Sequence, residues 1–295
     1  MNKIALGTAQ FGFDYGVNNK RGKIPKSEAF SILEKAFSSG VDCLDTAPAY
    51  GDSEAILGEY LKKTKANFKI VSKLPKIDPS KILSAFSSSL SDLGLNTLYG
   101  YLFHDFQYYR NNPAAWDIFK SLKAEGKIEK IGFSLYYPDD LDVILDRRLG
   151  IDLVQVPYSI FDRRFEPFFP LLRDQGIEVH VRSVFLQGLL FKQPDELFKE
   201  FLKIRDKIRK INSIAASANL SKVSLCLNFA IINEFINKVI VGVDSLQDLN
   251  GIISSSADIG VVKKLLAELD DLQETDQNVI LPMNWQAHRL TTAGV

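Results

Sequence analysis

The stretch "CLDTAPAYGDSEAILG", residues 43–58, decides how the rest of the chain is read. It opens apolar, runs into Asp45, turns, places Tyr50 before Gly51 and starts a helix at Ser53 and Glu54. A β-rich run that passes through a short turn into a helix is one strand–loop–helix unit. A capping acid and a surface aromatic account for Asp45 and Tyr50 one at a time. A catalytic site at the mouth of a barrel accounts for both together, because chemistry in that architecture sits at the carboxyl ends of the strands.

The same unit recurs in both directions. Short β-rich runs lie at 4–9, 41–47, 68–74, 97–105, 128–135, 151–159, 177–184 and 238–243. Segments with helical spacing lie between them. In 27–40 the apolar face reads Phe30, Leu33 and Phe37, with Gly40 as a stop signal. In 80–94 it reads Ile82 or Leu83, then Phe86, Leu90 and Leu93. Strand–helix alternation implies parallel strands with helical crossovers. Eight such units in roughly 250 residues fit an α/β chain folded as a (β/α)8 TIM barrel. An open doubly wound sheet is disfavoured, since the first strand runs into GTAQFG and not into a glycine-rich dinucleotide fingerprint. The chain reads as a single domain over 1–295, with an extra helical segment at about 191–237 and a C-terminal helical tail. The last stretch, 284–295, has weak pattern and reads as partly disordered.

Composition narrows the function. Lys plus Arg and Asp plus Glu both number 36, so no basic footprint for nucleic acid is present. No apolar run approaches the roughly 18 residues of a membrane span, and the first residues do not form a signal peptide. The only cysteines, Cys43 and Cys226, sit in apolar runs and read as buried reduced thiols of a cytoplasmic protein. No cluster of His, Cys and carboxylates has metal-ligand spacing, so no metal is expected. The oligomeric state is left open.

The ionisable residues at the strand ends form a short set. Asp45 ends the second strand and Tyr50 follows it; Lys73 ends the third and His104 the fourth. Three adjacent strands therefore bring four polar groups to one corner of the mouth. A free tyrosine titrates at about 10, too high for an efficient acid near neutrality. A nearby ammonium favours the phenolate and brings that value down. An aspartate paired with the lysine keeps it charged and aimed, and a histidine beside the phenol can orient a substrate oxygen.

DTAPAYGDSEAILG, followed by IVSKL and LFHD, resembles the aldo-keto reductases over nearly the whole chain. The resemblance implies a (β/α)8 barrel that binds a nicotinamide cofactor and reduces an aldehyde or ketone. It implies Tyr50 as general acid, Lys73 tuning it, Asp45 pairing with Lys73, and His104 orienting the carbonyl. Ser53 and Glu54 are expected only to start the next helix. The expected partner is a small-molecule carbonyl substrate whose identity the sequence does not give; aromatics near the strand ends suit a sugar-derived carbonyl or a small aldehyde and equally suit plain packing.

The resemblance also implies cofactor residues. Ser134 and Gln155 match positions that hold the nicotinamide amide, and Gly7, Thr8 and Asp45 bound its pocket. In VRSVFLQGLL, Ser183 and Gly188 match, but Arg182 replaces the usual aromatic and is expected to stack or to meet a phosphate or an acidic substrate. After the last strand, Gly242 lets backbone approach the cofactor. Ser245 reads as a helix N-cap with Asp248 at the third helical position, which suits anionic cofactor groups. Asp244 stands where a basic residue often meets the 2′-phosphate, so the expected cofactor, NAD(H) or NADP(H), leans to NAD(H). Two other readings remain: a non-catalytic or regulatory cofactor-binding protein on this fold, and a different barrel enzyme such as a phosphate-substrate isomerase.

Overall fold

A computed structural model describes residues 3–16, 19 and 21–285. Eight parallel strands close into a barrel in sequence order, and the last pairs with the first. They are β1 (Ile4–Gly7), β2 (Cys43–Asp45), β3 (Lys69–Leu74), β4 (Leu98–Phe103), β5 (Ile128–Ser134), β6 (Leu153–Pro157), β7 (Glu178–Arg182) and β8 (Lys238–Val241). Helices alternate with the strands, among them α1 (Lys26–Ser38), α2 (Ser53–Thr64), α3 (Ile82–Leu93), α4 (Ala115–Ala124), α5 (Pro138–Asp146), α6 (Phe169–Asp174), α7 (Lys222–Ile232) and α8 (Leu246–Ser255). Among the described residues no single helix is long and apolar enough to cross a membrane.

Two apolar layers hold this arrangement. The larger lies between strands and helices; the smaller, Ala5, Cys43, Val71, Leu102, Leu153 and Ile240, fills the barrel axis. Side chains alternate across a strand with a period of two. Two residues beyond those six interior positions come Gly7, Asp45, Lys73, His104, Gln155 and Gly242. The parity that buries the interior layer therefore delivers the polar set to the carboxyl-end rim.

Two expected helix faces need adjustment. α1 buries Ala29, Ile32, Leu33 and Ala36, while Phe37 is 43% exposed and makes an edge-to-face contact with Phe68. The mixed run of Phe and small residues hides the register, and the small residues let the helix approach the barrel. α3 buries Ile82, Phe86 and Leu93 and leaves Leu83 exposed. Gly40 (φ +79°) and Gly94 (φ +64°) supply the left-handed turns that end these helices. The segment before β8 holds short 3-10 turns, a helix at Arg205–Ser217 and then α7. Most of the expected C-terminal tail, residues 286–295, lies outside the described residues.

Candidate active site

Lys73 is fully buried, and its three ammonium donors meet three acceptors: Asp45 Oδ1 at 2.7 Å, the Thr46 carbonyl at 2.9 Å and the Tyr50 hydroxyl at 3.3 Å. The other Asp45 oxygen accepts from Gln155 Nε2 at 2.6 Å. The His104 ring stands edge-on to Tyr50, with centroids 5.9 Å apart. All four sequence-predicted catalytic residues thus share one corner. Gln155, expected beside the nicotinamide amide, is placed against Asp45, with Ser134 Oγ 3.5 Å from its Oε1. A buried ion pair persists only when its remaining hydrogen-bonding capacity is filled, and Gln155 with Thr46 does that here.

The loop carrying Tyr50 is locked onto the loop after β1. A Cβ built on Gly12 would lie 1.5 Å from the Tyr50 carbonyl oxygen, and one on Gly51 (φ +57°) would lie 2.6 Å from the Gly12 oxygen. Gly12→Ala is therefore expected to push the Tyr50 loop away. Overpacking of this kind costs about 1–3 kcal/mol, and misplacement near 1 Å costs up to about 10²-fold in turnover. Thermal melts and kcat check this; an unchanged kcat would show that Tyr50 keeps its place without the close contact.

Ser53 and Glu54 do more than start α2. Ser53 Oγ donates to Thr8 and lies 3.2 Å from Thr46 Oγ1, while Thr8 Oγ1 donates to the Asp45 carbonyl at 3.0 Å. This buried chain of hydroxyls ties the loops after β1 and β2 together. Glu54, 2% exposed, accepts from Ser72 at 2.5 Å and Ser89 at 3.0 Å, behind Lys73 on β3. Burial pushes its carboxyl pKa up. Nothing local in the sequence marks a residue at a helix start as buried, because its partners come from β3 and α3.

Burial also decides the electrostatics. The Tyr50 phenol is pushed up by burial first and by the Asp45 carboxylate second, with Arg182 pulling the other way. The sequence reading expects Lys73 to bring this phenol down; in the folded barrel the net direction is up, with desolvation the largest cause. Tyr50 therefore holds its proton through neutral pH. The His104 imidazole is brought down to about 3, chiefly by burial and then by the charges of Lys73 and Arg182. It is neutral near pH 7, with one ring nitrogen donating and the other accepting.

A groove of about 910 Å³ runs from Asp45 and Tyr50 to the start of α8. Gly7, Thr8 and Gln10 form one wall and Arg182, Ser183 and Gly188 another; Gly242, Asp244 and Asp248 line the far end. Ser134, Gln155 and Ser245 are absent from this lining. Ser245 caps α8, accepting from the Asp248 amide at 3.0 Å. Ser183 (φ 61°), Leu186 (φ 46°) and Gln187 (φ 51°) hold left-handed backbone on the β7 side, a strain of the kind that gathers at binding sites. An elongated groove with exposed glycine backbone and a capped helix start fits a dinucleotide bound in extended form.

A family model for the aldo/keto reductase family matches residues 3–274. The chain belongs to that family. This aldo-keto reductase is 26% identical over 275 residues to the oxidoreductase YqkF of Bacillus subtilis, covering 84% of this chain and 89% of that protein. It is 28% identical over 221 residues to the NADH-specific methylglyoxal reductase of Escherichia coli, covering 64% and 65%. Its fold matches the holo form of an aldo-keto reductase from Bacillus halodurans with a TM-score of 0.73 at 21% identity, covering 93% and 94%. The family makes it an oxidoreductase that uses a nicotinamide cofactor.

One cation of this aldo-keto reductase escapes the sequence reading. Arg21, far from β8 in sequence, donates to the Asp244 carbonyl at 2.8 Å and grips Glu28 through both terminal nitrogens. Asp244 itself is half-buried, with its carboxyl pushed up by burial and then by Asp248. Two further arginines are held by structural partners: Arg163 pairs with Asp270, and Arg164 with Asp162.

Proposed function

We propose that this aldo-keto reductase reduces an aldehyde or ketone to the alcohol, with Tyr50 as proton donor. The observation that carries the reading is the Lys73 ammonium between Asp45 and the Tyr50 hydroxyl. When bound, the reduced nicotinamide supplies a hydride to the carbonyl carbon. Tyr50 gives its proton to the carbonyl oxygen, and Lys73 stabilises the phenolate left behind. Neutral His104 offers a hydrogen bond that orients the carbonyl. Oxidation of NADH and NADPH against a panel of aldehydes and ketones tests this. Tight cofactor binding with no turnover of any carbonyl would favour a cofactor-binding regulatory protein instead.

The cofactor preference is read as NAD(H). A carboxylate at Asp244 repels a 2′-phosphate, whereas a ribose hydroxyl can donate to it, as acidic residues accept in other dinucleotide sites. Arg21, the cation beside it, is engaged by Glu28. At an effective dielectric of about 20, one charge pair at roughly 4–6 Å is worth a few kcal/mol. Screening at the rim brings the preference to about tenfold. The NADH-specific relative points the same way. Asp244→Arg is expected to reverse the preference, read as dissociation constants for NADH and NADPH. Tighter NADPH binding by the wild type, unchanged in the variant, would show that Asp244 does not face the phosphate.

A further inference from the structure

Arg182 closes β7 at the rim, and its interior parity turns the side chain over the barrel mouth. Its guanidinium donates to the Leu135 carbonyl at 2.9 Å and lies over the Tyr136 ring at 4.1 Å from the centroid. These contacts fix the plane of the group, yet they use one of its five N–H donors. No carboxylate pairs with it among the described residues. Arg21, Arg110, Arg163 and Arg164 each have one, in Glu28, Asp140, Asp270 and Asp162. Among the described residues, the only arginine on the groove wall is thus also one that lacks an anionic partner. Its position is at the reacting end: its charge pulls down the pKa of Tyr15, Tyr50 and His104 alike. The features suited to a cofactor diphosphate, Gly242 and the start of α8, lie instead on β8 and its loop.

A cation held rigid, half-buried and unpaired is costly unless its ligand carries the missing charge. An arginine fork matches the two oxygens of a carboxylate or phosphate, and such charge-assisted pairs are among the stronger hydrogen bonds. We propose that Arg182 selects carbonyl substrates that bear an anionic group, a carboxylate or a phosphate, close to the carbonyl being reduced. The inference rests on the reductase reading and adds the class of substrate to it. The reaction is unchanged: carbon receives the hydride, oxygen receives the Tyr50 proton, and the anion stays on Arg182.

Matched substrate pairs test it. Succinic semialdehyde is compared with its methyl ester, and phosphorylated glyceraldehyde with glyceraldehyde, each with both reduced cofactors. The wild type is expected to favour the charged member by about 10- to 100-fold in kcat/KM, mainly through KM. The pair with the larger ratio identifies carboxylate or phosphate as the preferred group. Arg182→Gln is expected to bring the ratio near one, and Arg182→Lys to restore part of it. Within the wild type the ratio is expected to shrink as salt rises, a readout that needs no variant. Turnover of the uncharged members with no preference for the anions overturns the inference and leaves the reductase reading standing. A preference that survives Arg182→Gln overturns the assignment to this residue. Loss of NADH affinity in that variant with the ratio intact places Arg182 on the cofactor and also overturns it. No turnover of any member by the wild type removes the reductase reading itself, and the inference with it.

Discussion

Tyr50→Phe is expected to lower turnover by about 10²–10⁴-fold, the usual share of general acid catalysis. The variant removes one oxygen and keeps the ring that packs beside Phe13 and His104. Cofactor affinity is expected to stay close to that of the wild type, so the loss falls on kcat. The residual rate is expected to lack any limb from phenol ionisation. Near-normal turnover would remove Tyr50 from the proton-donor role, since the other ionisable groups of this corner are poorly suited to it. His104 is held neutral, and Lys73 spends all three donors on protein acceptors.

Lys73→Met is expected to reduce turnover by about 10²–10³-fold, the range for losing one preorganised electrostatic donor. It also leaves the Asp45 carboxylate buried with Gln155 but without its cation, at a stability cost of about 3–5 kcal/mol. The phenol loses a positive neighbour 3.3 Å away, so a basic limb of the pH–rate profile moves up. Asp45→Asn is expected to move that limb down, because the Asp45 charge pushes the phenol up. An aspartate that did no more than keep Lys73 charged and aimed would make Asp45→Asn act in the same direction as Lys73→Met, only more weakly. The geometry separates them, since Asp45 acts on Tyr50 directly as well as through Lys73. Combined in one protein, the two changes are expected to cost less than the product of their separate effects, because both disrupt one hydrogen-bonded unit. Strict multiplication of the two losses would show that the residues act independently.

The sequence by itself determined the barrel and the corner that gathers Asp45, Tyr50, Lys73 and His104. Both follow from local, periodic facts: apolar runs of strand length alternate with helical spacing, and the two-residue parity along each strand carries Cys43 to Asp45, Val71 to Lys73 and Leu102 to His104. Tertiary structure alone decided what joins residues distant in the chain. Gln155 turns to Asp45 across 110 positions, and Arg21 reaches the Asp244 carbonyl across 223. Glu54 is buried beneath Ser72 and Ser89, and the close approach of Gly12 to Tyr50 depends on two loops folding together. The protonation of Tyr50 belongs to the same class. Residue types indicate a lysine that draws the phenol down, but the net direction depends on how much water the closed barrel removes, and desolvation is a property of the assembled packing.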